Sequence, residues 1–172
     1  MEGILINHLR DLLTEPQGDR KEAKQRISQH IPLKVTQEQN LALMRVATLE
    51  EVEEIVKGMK KNKAPGPDRF TAEFFQATWP FMEKDILDVV EESRRNQKVC
   101  PRLNSTFITL IPKTSKSEDP QGFRPIALCN VIYKIISKTI ANHLKLLLPT
   151  IINLEKTCYV EGRKILDSII LT

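Results

Sequence analysis

The chain has 172 residues, 41% of them apolar and 28% charged, a balance that supports a packed core and excludes disorder throughout. Its net charge of +4 mildly favours an acidic partner such as nucleic acid. The longest apolar run, LLLPTII, contains a proline and is far too short to span a bilayer, so no membrane partner is expected. The N-terminal MEGILINHLRDLL lacks the basic region and apolar core of a secretory signal. Cys100, Cys129 and Cys158 form no CxxC pair, so the sequence does not support a zinc site. An odd number of cysteines without a signal sequence suggests free, mostly buried thiols, no disulfides and an intracellular protein, nuclear or cytoplasmic.

In chain order, residues 4–13 read as a short amphipathic helix. Residues 14–26, with Pro16 and Gly18, read as a polar linker. A second short helix is expected over residues 36–46. Thr48 then stands as an N-cap with Glu51 three residues on, the pattern of a capping box. Leu49, Val52, Ile55, Val56 and Met59 recur at helical spacing, and Ala64-Pro65 ends that helix. Residues 71–79 look helical. Pro80 opens a longer helix to about residue 96, with Phe81, Ile86, Val89 and Val90 facing inward. Trp79, Phe74, Phe75 and Phe81 are expected in the core.

The texture changes at residue 104. STFITLIP and FRPIAL are rich in β-branched and aromatic residues and predict a hairpin over about 104–128, with Pro125 on an edge. Asn130 is the expected N-cap of a long helix, VIYKIISKTIANHLKLLL. Its apolar stripe is Ile132, Ile135, Ile136, Ile140, Leu144 and Leu147, with Lys134, Lys138 and Lys145 opposite. A loop and a last helix near GRKILDSIILT follow. The fold class is α+β, mainly helical, with one hairpin. The domain reading is a helical lead-in over residues 1–47 and a second part over 48–172.

Positive charge is concentrated. Residues 98–148 hold eight lysines and arginines against two acidic residues, so the remainder is net negative. That is the footprint of a surface facing phosphates, and equally that of a solvated lysine face. The acidic clusters at 50–54 and 85–92 are expected on exposed helix faces. His8, His30 and His143 have no metal-ligand spacing.

Three blocks stand in order: NKAPGPDRFTAEFF, then LIPKTSKSEDPQGFRPIALCNVIYKIISKTIANHLKLLLP, then YVEGRKILDSIIL. Together they resemble the reverse transcriptase of LINE-type, non-LTR retrotransposons, most closely the plant lineages. The resemblance runs from about residue 8 to the end. It implies the fingers and palm entrance of a right-hand polymerase, an RNA-directed DNA polymerase working with an RNA template, a DNA primer and deoxynucleotide triphosphates. The complete family enzyme uses two Mg2+ ions held by palm aspartates. Those aspartates are expected downstream of Thr172, and no YxDD occurs in this sequence. The chain alone is therefore expected to be inactive, with no catalytic residue, no bound metal and no cofactor. Its oligomeric state is left open.

The resemblance assigns Arg124, in GFRPI, to the triphosphate of the incoming nucleotide. A guanidinium suits that role because it is always charged and grips two phosphate oxygens at once. Lys113, in LIPK, is placed beside the same phosphates or the template. Lys116, Lys63, Lys134, Lys138 and Arg163 are the remaining candidates for nucleic-acid contact. Pro65, Gly66, Pro67 and Asp68 form a stiff turn. Gly66 lets two backbones approach closely, Pro65 and Pro67 pre-set φ, and Asp68 is expected to cap the next helix near Thr71. The family usually has glycine where Arg69 stands; a positive φ there would strain the turn. In the third block, Lys156 replaces a usual glutamine and Cys158 a small residue. Two rival readings remain: a non-catalytic nucleic-acid-binding module, and a retrotransposon relic that folds poorly and aggregates through exposed apolar groups.

Overall fold

The computed structural model describes residues 2–14, 21–30, 35–115, 119–152, 160 and 162. The chain divides into two compact units, one of Met1–Leu33 with Ile108–Ala127, the other of Lys34–Phe107 with Leu128–Thr172. Helices dominate, and one two-stranded sheet joins β1 (Thr106–Pro112) to β2 (Phe123–Cys129), so the class is α+β. Among the described residues no helix is long and apolar enough to cross a membrane. The last expected helix, near residues 162–172, lies outside the described residues.

In the first unit, α1 (Glu2–Leu13) packs on the one-turn 3-10 helix Pro120–Gly122. Helix α2 spans Lys21–His30, and its residues 21–26 fall within the stretch the sequence suggested as linker. Pro16 and Gly18 lie upstream of it. KEAKQR is made of strong helix formers, and Arg26 pairs with Glu22 at 2.7 Å one turn away.

The second unit carries the core. Helix α3 (Gln37–Leu43) starts at a complete capping box, Thr36 with Gln39. Helix α4 (Leu49–Lys57) contributes Val52, Ile55 and Val56, α5 (Ala72–Asn96) contributes Phe75, Trp79, Ile86 and Val90, and α6 (Val131–Lys145) contributes Val131, Ile135 and Ile136. All three helices touch one another. Short α7 (Leu148–Ile151) follows, with Pro149 in its first turn.

Helix α5 is one continuous helix, not two, with Pro80 inside it. An interior proline costs about 3 kcal/mol. Here Phe75, Trp79, Ile86 and Val90 form one buried face across the proline, and their burial at ~1.5–3 kcal/mol each outweighs that cost. Phe81 points the other way and is 86% exposed, and Phe74 is also exposed, which corrects the inward assignment of both. Phe74 instead stacks on exposed Phe70, with centroids 4.6 Å apart.

The buried line of α6 also differs from the expected stripe. Thr139 and His143 are buried, whereas Ile140 and Leu144 are exposed along the mouth of an open apolar cavity of about 380 Å³. Both lines satisfy a 3.6-residue period, and polar partners select between them. Thr139 Oγ1 donates to the Ile135 carbonyl at 3.0 Å, and His143 Nε2 lies 3.1 Å from the Glu51 carboxylate.

Glu51 therefore does not complete a capping box. Thr48 accepts from the Glu51 N–H, but the Glu51 carboxylate turns to His143 and to Arg45, 3.0 Å away. The reading of the acidic clusters as solvated faces fails here and at Glu91. Glu91 accepts from the Ala47 N–H at 2.8 Å and from Arg94 at 2.7 Å, fastening the α3–α4 connection to α5. Burial pushes the Glu91 carboxyl up, but the bonds from Arg94 and Ala47 outweigh it and hold it below the usual carboxylate range. A depressed folded pKa contributes stability above the unfolded value of about 4.3, lost as pH falls through the folded value. Urea midpoints across pH 3–7 should therefore fall in acid for the wild type, with a shallower dependence in Glu91→Gln.

Candidate nucleic-acid interface

Two basic surfaces occur, one in each unit, and each is built by local rules. In the first unit the hairpin turns back through Pro120–Gly122, and Lys113 closes it. The Lys113 N–H donates to the Gly122 carbonyl and its Nζ to the Gln121 carbonyl, each at 2.7 Å. The lysine is thereby held at the hairpin's end while remaining exposed. Arg124, on β2, is exposed, and its guanidinium has no hydrogen bond or ion pair among the described residues. Pro125 beside it has no N–H to lose, and each strand of a two-stranded sheet is an edge. Lys116 and Arg163 lie outside the described residues.

In the second unit the APGPD turn is pinned from behind. The Arg69 N–H donates to the Gly66 carbonyl at 3.0 Å, with Pro67 in the position where its fixed φ favours a turn. Gly66 is buried directly against Asn130. A Cβ there would overlap the Asn130 Oδ1 and backbone nitrogen and lie 2.6 Å from the Cys129 carbonyl carbon. The close approach expected of this glycine is thus present, and its partner is the junction between β2 and α6.

Asn130 is the residue that sequence reasoning undervalued. It stands at the N-cap position of α6 but makes no side-chain capping bond. Its side chain is only 2% exposed. Oδ1 accepts from the Asp68 N–H at 3.2 Å, and Nδ2 donates to the carbonyls of Arg102 and Leu103 at 3.1 and 3.2 Å. One amide joins three loops distant in sequence. Asp68 does not cap α5 either: its Oδ1 accepts from the Phe70 N–H at 3.0 Å, and Thr71 is the cap, accepting from the Phe74 N–H.

Arg69 adopts φ +63°, the left-handed region. A side chain there costs about 1–2 kcal/mol, and glycine's unfolded-state entropy returns about half of that. Arg69 is exposed, so Arg69→Gly loses little contact. It should stabilise the chain by about 0.5–1 kcal/mol, seen as a Tm rise of roughly 2 °C.

Lys63, Lys134 and Lys138 all belong to this second unit, with no ion pair among the described residues. Lys63 and Lys138 are exposed and Lys134 is half-buried. Lys63 and Lys134 line one cleft, with Lys60; Lys138 does not line it. The segment carrying Lys60 and Lys63 is fixed by α5. The Gln76 Nε2 donates to the Val56 and Met59 carbonyls, each at 3.0 Å, and the Glu73 carboxylate accepts from the Asn62 N–H. That backbone bond holds the Glu73 carboxyl below its usual range.

Cys100 and Cys129 are free thiols, the first exposed and the second half-buried; Cys158 lies outside the described residues. The exposed Cys100 departs from the expectation of mostly buried thiols. No group of three or more His, Cys, Asp or Glu among the described residues is placed to hold a metal ion. The described residues do not fit a two-magnesium site.

No protein-family model matches the sequence. The chain is 32% identical over 124 residues to the "Transposon TX1 uncharacterized 149 kDa protein" of Xenopus laevis. That match covers 72% of this chain and 10% of the relative, so the chain spans about a tenth of the length of the curated relative it matches. With this likeness over most of its length, the chain is a transposon-related protein.

Proposed function

We propose that the chain is a piece of a retrotransposon reverse transcriptase that presents a nucleotide- and template-facing surface of the fingers type and carries no catalytic carboxylates of its own. The observation that carries this reading is Arg124: an exposed guanidinium without a partner among the described residues, on a hairpin whose end is closed by Lys113. Its guanidinium is always charged and its planar fork can grip two phosphate oxygens at once, so less entropy is lost per hydrogen bond formed. The likeness to a transposon protein supports the same assignment. An RNA template, a DNA primer and a deoxynucleotide triphosphate are the proposed partners.

Binding of the full chain to a primed RNA template across a salt series tests this. Affinity should fall by orders of magnitude between about 50 and 200 mM salt, as expected for several phosphate contacts. A Lys113→Ala/Arg124→Ala variant should bind more weakly with a shallower slope. Binding that is absent, or insensitive to salt and to both substitutions, would reduce the motifs to a record of ancestry.

A further inference from the structure

We propose that the cleft lined by Lys60, Lys63 and Lys134 holds a backbone phosphate of a bound nucleic-acid strand, an inference that rests on the nucleic-acid-facing reading above. The cleft lies within the second unit and encloses about 250 Å³. Three of its nine lining residues are lysines and none is acidic. None of the three lysines has an ion pair among the described residues. Asp68, which accepts from the Phe70 N–H, and Glu73, which accepts from the Asn62 N–H, do not line the cleft.

Backbone dipoles add to the lysines. Thr71 and Ala72, which open the 25-residue α5, line the cleft, and so does Val131, the first residue of the 15-residue α6. Two helix N-termini thus meet at one cleft, each carrying partial positive charge on its first-turn N–H groups. Those of α6 receive no side-chain cap, because Asn130 is turned towards Asp68, Arg102 and Leu103. Helix N-termini combined with cations form an anion site suited to phosphate. Met59, Pro65 and Val131 add apolar lining, which lowers the local dielectric and strengthens the attraction.

A strand phosphate is favoured over a free phosphate ion by the setting. Lys138, exposed on α6 two turns from the cleft's Val131, supplies a further cation along the same helix, with no ion pair among the described residues. A row of cations suits a repeating backbone better than a single ion.

The test compares Lys60→Ala/Lys134→Ala with a Lys57→Ala/Lys84→Ala control of equal charge, on a primed RNA template across a salt series. Losing one phosphate contact should make the slope of log K against log salt shallower by about 0.7–0.9 in the cleft variant, with the control unchanged. Lys60→Arg/Lys134→Arg should restore the wild-type slope. Unchanged melting of the cleft variant shows that the loss is not unfolding. An unchanged slope in the cleft variant would overturn the proposal, and so would displacement of the strand by millimolar inorganic phosphate at matched ionic strength. If the cleft variant binds normally while Lys113→Ala/Arg124→Ala is weakened, the cleft fails and the hairpin reading stands. If the wild type binds no nucleic acid, both fail.

Discussion

Replacing Gly66 by alanine is expected to destabilise the chain by at least about 3 kcal/mol, enough to threaten folding of a domain whose total stability is ~5–15 kcal/mol. The added methyl would overlap Asn130 and press on the Cys129 carbonyl carbon. Those neighbours include backbone atoms, so no rotamer change relieves the clash. The turn must lift away, and the bond from the Asp68 N–H to Asn130 goes with it. Far-ultraviolet circular dichroism with urea titration measures the effect. A midpoint near that of the wild type would mean that the turn does not sit on Asn130. The flanking residue supplies an internal contrast, since Arg69→Gly, three positions away, should move stability the other way.

Asn130→Asp is the second large effect, expected at about 3–5 kcal/mol near neutral pH. The two residues are nearly isosteric, and Asp is as good an N-cap as Asn. If Asn130 only capped α6, the exchange would be neutral or better. In the structure, the Nδ2 donor serves the Arg102 and Leu103 carbonyls, and a carboxylate would place an acceptor against acceptors in a buried site. Burial and those carbonyls raise the folded pKa of the introduced carboxyl above its unfolded value. The deficit relative to wild type should therefore be fully present above the folded pKa and shrink as pH falls through it. A pH-independent difference would argue against the buried contacts.

The residues that local chemistry governs were readable from the sequence. Thr48 caps α4, the hairpin falls where β-branched residues cluster, and the glycine between two prolines marks a close backbone approach. What could not be read depends on partners far along the chain. Asn130 meets Asp68, 62 residues away, and nothing local separates that role from a helix cap. His143 and Glu51 are 92 residues apart, and their pairing rotates α6 away from its most apolar stripe. Pro80 looked like a helix start because the continuous buried face spanning it exists only once α4 and α6 are in place. The candidate cations were legible as residue types. The grouping of Lys60 with Lys63 and Lys134 was not, because the first two lie about 70 residues before the third.

Lysine-acetylation footprinting of the full chain, with and without a primed RNA template, tests the central claim most directly. Protection should fall on Lys113, Lys63, Lys134 and Lys138, while Lys84 on α5 and Lys57, which pairs with Glu53, keep their free reactivity. Lys116 is read out in the same digest. Uniform labelling, or protection centred on Lys57 and Lys84, would contradict nucleic-acid contact at the hairpin of the first unit and at α6 of the second.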